Sequence, residues 1–271
     1  MIKNAHWLKK RIRGKNFKVL DATWYLPNLK KYGYEDFKRA HIPGAIFFDI
    51  DKISDHKSSY PHMLPKKKDF ERMVSRFGIC NTDTIVIYCK TGILSSPRVW
   101  WTFRYFGHKN VYILNGGLKA WKLANGSLET KEKNHTKTYF KCRKIKDKLL
   151  TSYQDLKNYH ISNNLSHLII DCRPKNRFKA LEDEPRANIG RGHIPNSLNY
   201  PFNIFDHNGY LRSKTQLKVL LKNALLKKKK IICSCGSGIS ACNLALSLSH
   251  IGYKNWSVYD GSWTEWFIKN S

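Results

Sequence analysis

The chain carries the same short segments twice, in the same order and at nearly one spacing. Arg39-Ala40-His41-Ile42-Pro43-Gly44-Ala45 returns as Arg191-Gly192-His193-Ile194-Pro195-Asn196-Ser197. Ahead of these, Val19-Leu20-Asp21-Ala22 matches Ile169-Ile170-Asp171-Cys172. Behind them, Leu114-Asn115-Gly116-Gly117-Leu118-Lys119-Ala120-Trp121 echoes Tyr259-Asp260-Gly261-Ser262-Trp263-Thr264-Glu265-Trp266. The first residues of the three pairs lie 152, 150 and 145 positions apart. Repetition only twice, at this period, means two homologous domains and not a solenoid. A chain of 271 residues has room for two, each long enough to bury its own core. The stretch 126–148 is polar, rich in Lys and without apolar periodicity. The expected organisation is therefore a domain over 1–126, a linker over 127–148 and a second domain over 149–271.

Within each half, short β-branched runs alternate with longer helical patterns. Strands are expected at 19–22, 85–88 and 111–114, and again at 168–171, 231–233 and 257–259. Helices are expected at 97–106 and 241–250, with a short one around Trp7, Leu8 and Ile12. Strand–helix–strand alternation predicts an α/β fold, a parallel sheet flanked by helices in each domain. Where the first copy has Gly44 the second has Asn196, a change expected to alter only a turn.

Ligand sites in open parallel sheets lie beyond the carboxyl ends of the strands. In the second half the run Ile231-Ile232-Cys233 continues into Ser234-Cys235-Gly236-Ser237-Gly238-Ile239-Ser240, and a helix follows from Ala241. A thiol at that junction faces backbone N–H groups and the positive end of a helix, which favour the thiolate and any anion held on its sulfur. Gly236 and Gly238 let the backbone curl around the sulfur. Comparing the halves through this loop sets Lys90 opposite Cys235, with Cys89 one position earlier. The first copy is then expected to lack a nucleophile in register, with Cys89 a strand-end residue.

With these residues in place, the chain resembles the rhodanese superfamily of sulfurtransferases over nearly its whole length. The loop from Cys235 to Ser240 resembles that of the 3-mercaptopyruvate sulfurtransferases. Relatives that prefer thiosulfate tend to carry Arg and Lys directly after the Cys, where this chain has the neutral Gly236 and Ser237. Phe47-Phe48-Asp49-Ile50-Asp51, with Ser54-Asp55 and Tyr60-Pro61-His62-Met63-Leu64-Pro65, resembles the first-domain insertion of these enzymes. The resemblance implies that Asp51 and His62 reach the loop Ser237 across an interdomain cleft and serve proton transfer. It also implies that Arg177, in Asn176-Arg177-Phe178, and Arg186, after Glu182-Asp183-Glu184-Pro185, hold the carboxylate and carbonyl of the substrate.

The implied enzyme is a 3-mercaptopyruvate sulfurtransferase. Cys235 is its nucleophile, Ser237, His62 and Asp51 handle protons, and Arg177 and Arg186 bind the 2-oxo acid. The backbone of Gly236, Gly238, Ile239 and Ser240 cradles the sulfur. A thiol, a thioredoxin-like dithiol or cyanide is the expected acceptor. No metal or organic cofactor is expected, and Cys233 with Cys235 is a lone Cys-x-Cys pair. The competing readings are a thiosulfate sulfurtransferase and a non-enzymatic sulfur-carrier or anion-binding module. A Cys-based phosphatase needs an Arg six residues after its nucleophile, where this chain has Ala241.

Seven cysteines at irregular spacing in a chain this long suggest reduced thiols in a reducing compartment. Residues 1–13 lack an apolar signal core, and no apolar run is long enough for a bilayer, so a cytoplasmic protein without membrane contact is expected. Lys and Arg number 49 against 20 acids, a formal +29. Scattered lysines, with one cluster at 227–230, form no organised nucleic-acid reading element. Mobility-shift titration at physiological salt should accordingly show only weak, sequence-blind binding that added salt removes. Tight binding to one sequence in preference to others would contradict it.

Overall fold

A computed structural model describes residues 1–161, 166–227 and 229–271. Lys228 of the lysine cluster lies outside the described residues. The chain divides into two compact units. Unit 1 comprises Met1–Lys57, Leu64–Lys146 and Asn208–Tyr210, and unit 2 comprises Ser58–Met63, Asp147–His207 and Leu211–Ser271.

Each unit is built on five parallel strands in the same spatial order. In unit 1 the order is Ile2–Lys3, Val111–Leu114, Thr84–Tyr88, Phe17–Asp21, Ala45–Phe47. In unit 2 it is Leu150–Thr151, Trp256–Tyr259, Lys230–Ser234, His167–Asp171, Leu198–Asn199. The expected α/β fold is present twice. The middle strands, Thr84–Tyr88 and Lys230–Ser234, are buried from their second residue to their last. Strands covered on both faces read as continuous apolar runs, which is why they stand out in the sequence. The outermost strands are only two or three residues long and leave no periodic trace. The helices Ser96–Tyr105 and Ala241–His250 follow the middle strands, and each is buried over its first eight residues.

The repeated His-Ile-Pro segment makes the same ring stack and carbonyl contact in both copies, with His41 buried and His193 exposed. His41 stacks on Phe37 at 4.0 Å and its Nδ1 lies 2.8 Å from the Phe37 carbonyl. His193 stacks on Phe178 at 4.1 Å, with Nδ1 2.9 Å from the Phe178 carbonyl. Ile42 and Ile194 are fully buried. Gly44 and Asn196 share a left-handed backbone, φ 69° and 60°. Asn tolerates that conformation better than other side chains, so the turn survives the exchange.

Residues 127–146 of the anticipated linker are packed into unit 1. Glu129 and His41 exchange backbone hydrogen bonds of 3.0 and 2.9 Å. Further on, Thr138 N–H donates to the Ser75 carbonyl, Phe140 N–H to Ser75 Oγ, and Cys142 N–H to the Glu71 carboxylate, each at 2.9 Å. Phe140 is 1% exposed and meets Phe70 edge-on at 5.9 Å. Two apolar anchors among many lysines are too sparse to register as a pattern, yet they secure the segment. Phe140→Ala should therefore cost ~3–5 kcal/mol in urea unfolding, as for a core Phe. A loss below ~1 kcal/mol would mean that the segment is a tether.

Candidate functional site

The site begins where strand Lys230–Ser234 leaves its sheet. Its last residue pairs with Asp171, and Cys172 N–H donates to the Ser234 carbonyl at 2.8 Å. Cys235 follows and is 2% exposed. The N-terminus of helix Ser262–Asn270 ties the loop down. Trp263 N–H donates to the Cys235 carbonyl at 2.9 Å, and the N–H and hydroxyl of Thr264 donate to the Gly236 carbonyl at 3.0 and 2.7 Å.

Ser262 completes this cradle and was not among the residues the sequence singled out. Its Oγ accepts from the N–H groups of Cys235 and Gly238, both at 3.1 Å, and donates to the Tyr259 carbonyl at 2.9 Å. The same oxygen lies 4.0 Å from Cys235 Sγ. Ser262 holds φ 52°, a left-handed conformation that costs a non-Gly residue ~1 kcal/mol or more. Its hydrogen bonds offset that strain. The signal that could have found it is the exchange of Gly117 for Ser262 between the copies, since Ser adds a hydroxyl at a position where the backbone favours Gly.

With those carbonyls and N–H groups bound, the backbone N–H groups of Gly236, Ser237, Ile239 and Ser240 have no acceptor among the described residues. Gly236, Ser237, Gly238 and Ile239 are buried, Ser240 is half-buried, and Gly238 takes φ 77°. Helix Ala241–His250 starts directly after them. Clustered N–H donors at a helix N-terminus favour negative charge.

His62 belongs to unit 2 and is buried. Its Nδ1 lies 3.0 Å from Ser237 Oγ and 3.2 Å from the Ser237 carbonyl. The expected His62–Ser237 pair is thus in hydrogen-bond contact. Asp51 belongs to unit 1, where Trp24 Nε1 donates to both of its carboxylate oxygens at 3.2 Å.

Arg177 sits on the short helix Lys175–Phe178 and is buried rather than on the surface. Its Nε donates to Glu184 Oε1 at 3.2 Å and its Nη2 forms a short bond to Glu184 Oε2. Glu184 also accepts from Arg173 Nη1 at 2.6 Å, and Arg173 Nη2 in turn donates to Asp171 at 2.6 Å. Burial pulls the Arg173 pKa down, but the carboxylates of Asp171 and Glu184 outweigh it and hold the guanidinium charged. Arg173 also lies over the Trp263 ring at 5.0 Å. The network abuts the loop: a Cβ at Gly236 would stand 2.9 Å from Arg177 Nη2. Arg186 is half-buried, two positions after Glu184.

The first copy corrects the sequence comparison. Asp21 pairs with Tyr88 as Asp171 pairs with Ser234, so Cys89 and not Lys90 is the counterpart of Cys235. Leu118 N–H donates to the Cys89 carbonyl as Trp263 does to Cys235. Cys89-Lys90-Thr91-Gly92-Ile93 therefore matches Cys235-Gly236-Ser237-Gly238-Ile239. Between Cys89 and Leu118 the first copy has one residue more than the second has between Cys235 and Trp263. That insertion shifts an alignment anchored further along the chain. The surroundings differ as well. Cys89 Sγ donates to the Gly92 carbonyl at 3.2 Å, Lys90 pairs with Asp36 at 2.6 Å, and Gly117 replaces the Ser262 hydroxyl. Gly209, in the segment that joins unit 1, sits so close that a Cβ on Gly92 would lie 2.4 Å from its Cα.

Two further thiols near Cys235, those of Cys172 and Cys233, are fully buried. Burial pushes the Cys172 and Cys233 thiols well above their ordinary pKa, which keeps them protonated and inert. Among the described residues no helix is long and apolar enough to cross a membrane.

The chain is 36% identical to a human protein named 3-mercaptopyruvate sulfurtransferase, over 98% of this chain and 91% of that one. It is 37% identical to an Arabidopsis thaliana protein named thiosulfate/3-mercaptopyruvate sulfurtransferase 1, mitochondrial, over 97% of this chain and 75% of that one. The crystal structure of SseA from Escherichia coli, described as a 3-mercaptopyruvate sulfotransferase of the rhodanese fold, superposes with a TM-score of 0.87 at 32% identity. That match covers 97% of this chain and 98% of SseA. The model of the rhodanese-like domain matches twice, over residues 4–124 and 152–269, and the chain belongs to the rhodanese family.

Proposed function

We propose that the protein transfers sulfur from 3-mercaptopyruvate to a thiol through a persulfide on Cys235. The observation that carries this reading is the loop itself. Cys235 directly follows a central strand, and four backbone N–H groups without an acceptor among the described residues come after it at the start of a helix. Such donors stabilise a thiolate and then the anionic persulfide.

The Cys235 thiolate attacks the sulfur of 3-mercaptopyruvate. A sulfur–sulfur bond forms, the carbon–sulfur bond breaks, and its electron pair leaves on pyruvate enolate. A proton delivered to the enolate carbon completes pyruvate. Ser237 and His62, 3.0 Å apart, are the pair that can move it. The resemblance adds Asp51 to the residues that handle protons. Arg177 and Arg186 receive the substrate carboxylate and carbonyl. Ser262 is a positioning residue that fixes the loop backbone on both sides of the nucleophile. In the second step an acceptor thiolate takes the outer sulfur and returns the Cys235 thiol; a thioredoxin-like dithiol then closes its own disulfide and releases hydrogen sulfide. Seven free cysteines suit a reducing compartment such as the cytoplasm.

Cys235→Ser should lower pyruvate formation by at least ~10³-fold with an unchanged melting temperature. Cys89→Ser should leave turnover within ~twofold, because that thiol is buried against Gly92 and lacks the hydroxyl that Ser262 provides. The reverse ranking of the two variants would place the nucleophile in the first copy.

Donor choice is the second check. Thiosulfate has no carboxylate for the arginines, and the loop offers it no cationic side chain. We expect kcat/KM for 3-mercaptopyruvate to exceed that for thiosulfate by more than ~10-fold. Equal values would make the protein a thiosulfate sulfurtransferase as much as a mercaptopyruvate one.

A further inference from the structure

Four ionic side chains meet behind Gly236, in the order Asp171, Arg173, Glu184, Arg177. Their side chains are 0%, 1%, 3% and 9% exposed. Two carboxylates against two guanidinium groups leave the cluster without net charge. Glu184 is its hinge, because it is the one member bonded to both arginines. It engages Arg177 through Nε and Nη2, and Arg177 Nη1 makes no hydrogen bond among the described residues. A Cβ on Gly236 would also lie 3.7 Å from Glu184 Oε2, so Glu184 stands beside the residue that follows the nucleophile.

On the reading that Arg177 receives the carboxylate of the donor, we propose that Glu184 is a positioning and specificity residue that selects monoanionic over dianionic sulfur donors. Two effects combine. Glu184 holds the guanidinium by one edge, so the other edge meets a carboxylate at a fixed angle with little entropy left to lose. It also cancels the Arg177 charge. With the Arg177 charge cancelled, Arg186 can balance one negative charge, while a compact dianion carries a second that neither arginine balances. Selection against thiosulfate thus comes from an acid behind the site as well as from the neutral side of the loop. The same geometry bears on loop engineering: an Arg at position 236 would begin 2.9 Å from Arg177 Nη2 and displace it rather than add to it.

The test separates charge from reach. In Glu184→Gln the charge goes while the length stays. KM for 3-mercaptopyruvate should rise about tenfold with kcat within ~threefold, and kcat/KM for thiosulfate should rise about tenfold. In Glu184→Asp the charge stays and the reach shortens, so KM for 3-mercaptopyruvate should rise without any gain for thiosulfate. Calorimetric binding of pyruvate and of sulfate, the product monoanion and an inert dianion, gives a readout independent of turnover. Glu184→Gln should shift the pyruvate-to-sulfate affinity ratio toward sulfate by about tenfold. If both donors fall by one factor through kcat and the affinity ratio stays fixed, Glu184 is merely structural and the proposal is overturned. If Glu184→Gln fails to fold, Glu184→Asp decides, and an unchanged KM and pyruvate affinity overturns the proposal. A parent protein that does not turn over 3-mercaptopyruvate defeats the donor assignment instead, and the binding ratio still judges Glu184.

Discussion

Every feature of the site depends on how the backbone hydrogen bonds are settled where strand Lys230–Ser234 leaves the sheet. A parallel ladder satisfies its N–H and carbonyl groups only while neighbours run alongside. Beyond Ser234 the neighbours are gone. The carbonyls of Cys235 and Gly236 turn to the first N–H groups of helix Ser262–Asn270, and the N–H groups of Cys235 and Gly238 turn to Ser262 Oγ. That allocation leaves the N–H groups of Gly236, Ser237, Ile239 and Ser240 without an acceptor among the described residues. A loop resolved in the opposite sense would present carbonyl oxygens and repel a thiolate.

The two copies show how one scaffold was specialised by few side chains. Each ends the strand beside its middle strand, Phe17–Asp21 or His167–Asp171, with an Asp that accepts from the N–H two residues on, Thr23 in one and Arg173 in the other, at 2.9 and 2.8 Å. In unit 1 that position is a short hydroxyl, bonded back to Asp21 at 2.5 Å. In unit 2 it is a guanidinium long enough to reach Glu184, which brings Arg177 beside the loop. Gly117 against Ser262 and Lys90 against Gly236 complete the contrast. The buried Cys89 thus keeps the place of a nucleophile without its surroundings.

Much of this was legible in the chain. The fold class followed from the duplicated segments and from apolar runs long enough for buried central strands. Cys235, Ser237, His62 and Arg177, which the structure gathers around one loop, stand out in the chain because strand, loop and helix succeed one another without interruption and because the motifs match a family. What stayed hidden depends on distance in space or on a single residue of register. The Cys89 correspondence was masked by one inserted residue further along the chain. Ser262 lies 27 residues beyond Cys235, and its role appears only once its helix docks on the loop. Glu184 sits in an acidic run of three, and nothing in that run says which acid turns inward; the structure pairs Asp183 with Arg191 at 2.7 Å and buries Glu184.

The +29 charge and the neutral ion cluster act at different ranges. A positive surface raises the local concentration of every anion, whatever its valence, and the effect fades with salt over ~8 Å under physiological conditions. It favours a dianion over a monoanion. Discrimination in the other sense must therefore arise inside, where water is excluded and one uncompensated charge weighs far more than on the surface. The pairing of Arg173 and Arg177 with Asp171 and Glu184 meets that need, because it supplies directed donors without a surplus of positive charge. A guanidinium left unpaired at the same place would reinforce the pull of the surface and lose the distinction between the two donors.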